Sequence, residues 1–135
     1  MLGVSPYIAF QGNCREALEF YKRALHAEVL FVQTVGESPM SNMGPAENIM
    51  HSTIRVGNSN VMMCDDSRPE SAASGGNISL AIGLNDPKEA KELFDGLAAG
   101  GTVIMPLEKT YWAEAFGMVT DRFGVKWMLN CEAPK

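Results

Sequence analysis

Histidine is scarce in this chain: only His26 and His51 occur. That excludes a His-rich metal centre. Cysteine is scarce as well. Cys14, Cys64 and Cys131 make an odd set with no CxxC spacing, which excludes a disulfide framework or a zinc ribbon. They read as reduced thiols of a cytoplasmic protein, structural or incidental rather than catalytic. Basic residues number 11 against 16 acidic ones, and they are scattered. A net charge of −5 without a basic face argues against nucleic acid. No apolar run approaches the roughly 20 residues a membrane span needs, so no membrane partner is expected. Residues 1–6 carry no basic flank or cleavage pattern, and no secretory leader is expected.

Amphipathic helices are present. Asn13 is a suitable N-cap, Glu16 stands where a capping-box acid belongs, and Ala17, Leu18, Tyr21, Ala24 and Leu25 make one apolar stripe. A second helix is predicted from the Asp86 cap and Pro87, with Glu89 near its start. Its stripe is Ala90, Leu93, Phe94, Leu97 and Ala98, and Gly100-Gly101 ends it. The two helices align at an offset of 73 residues, Glu16 on Glu89 and Tyr21 on Phe94. Strand-like segments precede them (4–10, 78–84) and follow them (29–35, 102–105). Each half then closes with a hairpin, 50–56 to 61–65 and 116–121 to 125–130, across Gly/Asn-containing turns. The chain thus reads as a single α+β domain, 1–135, of two tandem βαβββ modules. Module one spans 4–65, a small-residue linker 66–76, and module two 77–131.

The stretches PYIAFQGNCREALEFYKRAL, MHSTIRVGNSNVMMCDD and AFGMVTDRFGVKWMLN resemble the PhnB-like branch of the glyoxalase/bleomycin-resistance/dioxygenase (vicinal oxygen chelate) superfamily. Members are often labelled as 3-demethylubiquinone-9 3-methyltransferase domains. The resemblance covers about Val4 to Cys131. It implies curved sheets around a small-molecule cleft, and a homodimer. Methyl transfer from S-adenosylmethionine typically uses a doubly wound sheet with a Gly-rich turn after the first strand. Gln11-Gly12-Asn13-Cys14 is a helix cap instead.

Metal-dependent members of the superfamily take His and Glu ligands from each module's first and last strands. The resemblance sets those positions at about Pro6, Asn77, Met63 and Met128, with a register uncertain by a residue or two. None of the four suits Zn, Ni, Mn or Fe. No metal and no cofactor are therefore expected. Asp65 and Asp66 are adjacent, so a strand points them to opposite faces and they cannot join His51 in one triad. Val61, Met63 and Asp65 share one strand face, with Met62 and Cys64 on the other. Alternation alone leaves open which face meets a ligand.

His51 is the candidate for proton transfer, as the strand histidine. Asp65 is the candidate to orient it or a substrate hydroxyl. Met63, Asn77, Trp112 and Met128 are candidates for a ligand cleft. Tyr111 adds flat surface beside Trp112, and Trp127 reads as core. Met40, Met43, Met50, Met62 and Met63 crowd one region, which suits apolar ligands or plain core. Three functions stay open: a metal-free small-molecule-binding protein; a glyoxalase-like lyase or dioxygenase-like enzyme using His51 and an Asp; and a structural homodimer without ligand.

Overall fold

The computed structural model describes residues 2–39, 44–66 and 77–132. The chain divides into two compact units, Met1–Ala73 and Ser74–Lys135. Met40, Met43 and residues 67–76 of the expected linker lie outside the described residues.

The first unit runs β1 (Tyr7–Phe10), α1 (Cys14–Leu25), β2 (Glu28–Thr34), β3 (Ile49–Val56) and β4 (Ser59–Asp65). The second runs β5 (Leu80–Leu84), α2 (Pro87–Ala98), β6 (Thr102–Glu108), β7 (Ala115–Thr120) and β8 (Lys126–Cys131). Each unit is thus βαβββ. The sheet orders are β1-β4-β3-β2 and β5-β8-β7-β6. In both, the first strand runs parallel to the last and the remaining neighbours are antiparallel. This is the α+β duplication that the helical stripes and hairpin turns predict.

Each helix buries its stripe against one face of its own sheet. On α1 the buried set is Cys14, Ala17, Leu18, Phe20, Tyr21, Ala24 and Leu25. The sheet answers with Phe10, Ile54, Val61 and Met63, all buried. On α2 it is Ala90, Leu93, Phe94 and Leu97, in a unit whose sheet buries Val119, Trp127, Leu129 and Cys131. Full burial of one such side chain contributes about 1.5–3 kcal/mol.

The helix starts differ. Asp86 caps α2 as expected, accepting from the Lys88 N–H at 3.0 Å. Asn13 makes no side-chain cap bond. Asp65, from the end of β4, takes that role: Oδ1 accepts from the Gly12 and Cys14 N–H groups, both at 2.9 Å. Among the described residues no helix is long and apolar enough to cross a membrane.

Candidate functional site

Strand alternation and register define the sheet face turned away from each helix. In the first unit Ser52 and Ile54 point to the helix and are buried, so His51 and Thr53 point the other way. Thr53 lies opposite Met62, and Met62 opposite Tyr7; Cys64 lies opposite Ala9. From β2, Gln33 lies opposite His51 and Phe31 opposite Thr53. One face therefore collects Tyr7, Phe31, Gln33, His51, Thr53, Met62 and Cys64. A bulge at Leu30 lets Val29 face the helix layer while Phe31 joins this open face.

The polar centre of that face is a hydrogen bond of 3.2 Å between the Tyr7 hydroxyl and His51 Nδ1. With the imidazole proton on Nε2, Nδ1 accepts from Tyr7. The Tyr7 and His51 rings stand 5.7 Å apart, and Phe31 lies 5.9 Å from the imidazole on its other side. Burial, then a hydrogen bond to the Cys64 side chain, push the Tyr7 phenol up to about 12. Tyr7 is therefore a neutral donor at physiological pH.

The second unit builds its open face from different chemistry. Ala81 and Gly83 of β5 lie opposite Met128 and Asn130 of β8, which lie opposite Met118 and Phe116 of β7. Met105 of β6 continues the row beside Met118. Trp112 packs edge-on against Phe116 at 5.3 Å, and Tyr111 against Trp112 at 4.8 Å. Asn130 Oδ1 is buried and finds no hydrogen-bond partner among the described residues. A buried amide oxygen left so costs roughly 1–3 kcal/mol until a donor reaches it.

Several sequence expectations are corrected by this register. Met63 is fully buried on the helix face of its sheet, so it is core and not a cleft residue. Its neighbour Met62 holds the place that Met128 holds in the second unit. Each lies three residues before the end of its parallel pair, opposite Tyr7 and Ala81 respectively. Asn77 is exposed and lies ahead of β5, outside the sheet. Asp65 does not meet His51. Its carboxylate lies on the helix side, bonding the Gly12 and Cys14 N–H groups and, through Oδ2, the Ile49 N–H at 2.8 Å. Three backbone donors leave it a structural anchor. Met128 and Trp112 do join one face, through Met118 and Phe116. Trp127 is core, its indole N–H donating to buried Asp121 at 2.9 Å. Sequence reasoning missed Tyr7, which reads as a plain strand aromatic until His51 is placed across from it. It also set Cys64 aside.

The first- and last-strand positions that would carry a metal are therefore Tyr7, Met62, Ala81 and Met128. They do not fit one. Thioethers are soft donors, alanine has no donor, and a phenol held near 12 keeps its proton. Among the described residues no group of three His, Cys, Asp or Glu side chains is placed to hold an ion.

Comparison with known proteins adds the following. A sequence model of the family described as 3-demethylubiquinone-9 3-methyltransferase matches residues 3–130. Protein YjdN of Escherichia coli K12 is 40% identical over 138 residues, covering 94% of this chain and 93% of that protein. The crystal structure of protein PA1353 from Pseudomonas aeruginosa matches with a TM-score of 0.87 at 39% identity, over 99% of this chain and 100% of that one. The PhnB protein of Bacillus cereus matches at 0.82 and 22% identity, over 96% and 99%. The fosfomycin resistance protein FosX of Listeria monocytogenes, a point mutant complexed with Mn(II) and 1S,2S-dihydroxypropylphosphonic acid, matches at 0.69 and 10%, over 98% and 94%. The last two likenesses are of fold alone.

Proposed function

This chain belongs to the 3-demethylubiquinone-9 3-methyltransferase family, with the vicinal oxygen chelate fold, and from that premise we propose that it binds an uncharged aromatic or carbonyl compound without a metal. The observation that carries the reading is the open face of the first sheet. There the hydrogen-bonded Tyr7–His51 pair is flanked by Phe31 and Met62. Phe31 and Tyr7 are each about half exposed, at 48% and 53%. Flat, polarizable surface with one central donor–acceptor pair suits a planar ligand carrying one oxygen. The second sheet adds the apolar surface of Met118, Met128 and Trp112, with the Asn130 oxygen unpartnered among the described residues. The phosphonic acid bound by FosX is an anion, and Arg55, on the same strand as His51, is already paired with Glu28.

The methyl-transfer description is not part of this reading, since both sheets mix parallel and antiparallel pairs and neither is doubly wound. The molecule acts as a cytoplasmic homodimer in this proposal. The exposed apolar residues Val103, Ile104 and Met105 on edge strand β6 support an assembly, which light scattering tests.

The deciding experiment is a thermal-melt screen of the full chain against small uncharged aromatics, ketones and quinones. A saturable rise of several degrees is expected. A ligand at a hundredfold excess over its Kd adds about 2.7 kcal/mol. Phe31→Asp should remove the rise while leaving the unliganded melt within a few degrees. If no compound in the panel shifts the melt, and Phe31→Asp changes nothing, the binding reading is wrong and a ligand-free structural role stands in its place.

A second reading, proton transfer on a carbonyl compound, is favoured by the Tyr7–His51 hydrogen bond. Turnover lost in His51→Ala with ligand binding kept would establish it.

A further inference from the structure

Three proton-bearing groups of different elements converge on the open face of the first sheet. Tyr7 comes from β1, His51 from β3 and Cys64 from β4. The Tyr7 hydroxyl hydrogen-bonds His51 Nδ1 at 3.2 Å. Cys64 shares this face, opposite Ala9 and two residues along the parallel pair from Tyr7, and its side chain interacts with the Tyr7 phenol. A thiol, a hydroxyl and an imidazole on one face supply a nucleophile, a relay and a base.

The other two thiols make a contrast. Cys14, at the start of α1, and Cys131, on the helix face of its sheet, are completely buried. Burial, together with the Asp65 charge, pushes the Cys14 thiol up to about 12, and burial raises Cys131 too. Cys64 is partly exposed and faces away from the helix, beside the apolar surface of Met62 and Ala9.

We propose that Cys64, served by Tyr7 and His51, is a covalent capture site for soft electrophiles of the α,β-unsaturated carbonyl class. As Cys64 Sγ attacks the β-carbon, its proton passes to Tyr7 Oη. Tyr7 gives its own proton to His51 Nδ1. The new bond is S–C, and the alkene π pair moves onto the α-carbon and carbonyl oxygen as an enolate. The imidazolium then returns a proton to the α-carbon. The product is a thioether. No oxidant, metal or leaving group enters. The role of Tyr7 is to bridge two groups that occupy different strands, and its retained proton is what lets it relay rather than attack.

The inference rests on the reading that this face receives small carbonyl compounds, and the test separates the two. The native full chain is incubated with 2-cyclohexen-1-one, and adducts are counted by intact mass and placed by peptide mapping. One adduct, on Cys64, is expected, formed faster than with glutathione at the same pH. Tyr7→Phe and His51→Ala should each slow it on the order of 10²-fold. Added imidazole should restore the rate of His51→Ala, which a merely structural histidine would not allow. Circular dichroism confirms that the variants fold. If His51→Ala does not fold, the wild-type rate against glutathione and the Tyr7→Phe rate decide. An unlabelled native protein, an adduct on Cys14 or Cys131, or rates indifferent to both variants would overturn the proposal. Cyclohexanone supplies the other arm. A melt raised by cyclohexanone without any cyclohexenone adduct defeats the capture step alone; silence from both compounds defeats the binding reading with it.

Discussion

Asp65 carries its charge into a ring of three backbone N–H groups that belong to the start of α1 and the start of β3. Replacement by Asn keeps one accepting oxygen and turns an amide N–H toward at least one backbone donor. Asp65→Asn should therefore lower stability by about 2 kcal/mol in urea unfolding, while ligand-induced melting shifts persist. A variant of unchanged stability that had lost those shifts would return Asp65 to the site. Cys14, beneath the same carboxylate, gives a pH signature. Its thiol is pushed from 9.0 to about 12 in the fold. Between those values the unfolded chain has lost the proton and the folded chain keeps it, so stability falls as pH rises through the window. Tyr7 adds to the fall above 10.0. Urea midpoints taken from about pH 8 to about pH 11 should decline for the wild type and decline less for Cys14→Ala. The sequence presents Asp65 as an acid at a strand end. Its N–H partners at positions 12, 14 and 49 are set by long-range pairing, which no local pattern encodes.

The secondary structure was legible where periodicity was strong. Both helices, with stripes at helical spacing, lie where the caps put them, and the hairpin turns at Gly57 and Gly124 take positive φ, 59° and 86°. β6 runs further than expected, through Pro106 to Glu108. As an edge strand it has a side where a missing N–H is harmless. What alternation could not supply was the sense of a face. It grouped Met63 with Asp65 correctly, but both groupings of β4 were apolar enough to be core. The decision came from α1 covering one of them. Gly101 shows a different limit. It reads as half of a helix stop, yet the structure uses it for a close approach: a Cβ there would stand 2.3 Å from the Thr120 carbonyl oxygen and 2.9 Å from Asp121 Cα. Those are backbone atoms of the neighbouring strand and its turn, with little room to yield. Gly101→Ala should cost about 3 kcal/mol in urea unfolding. A cost near zero would mean that α2 and β6 can shift together without penalty.

At the scale of the whole molecule, one module has been used twice and its two open faces have diverged. One holds titratable groups, Tyr7, His51 and Cys64; the other holds thioethers and an amide, Met118, Met128 and Asn130. The residues at the four metal positions predict that Mn, Ni, Zn or Fe(II) added to chelator-free protein will move the melt by less than about 1 °C. A rise of several degrees with one of them would require ligands other than Tyr7, Met62, Ala81 and Met128. The parallel pairing of first with last strand also has a consequence for synthesis. Tyr7 waits for Met62, 55 residues later, and Leu80 for Trp127, 47 later. At roughly 5–20 residues per second, β1 spends about three to eleven seconds without its ladder partner on a translating ribosome. For that interval α1 lacks its capping carboxylate too, since Asp65 closes β4. Each module is therefore assembled from its tail: the last strand to emerge is the one that seats the first, and a chain stopped before residue 59 holds α1 and three strands, with β1 lacking the strand that joins it to the sheet.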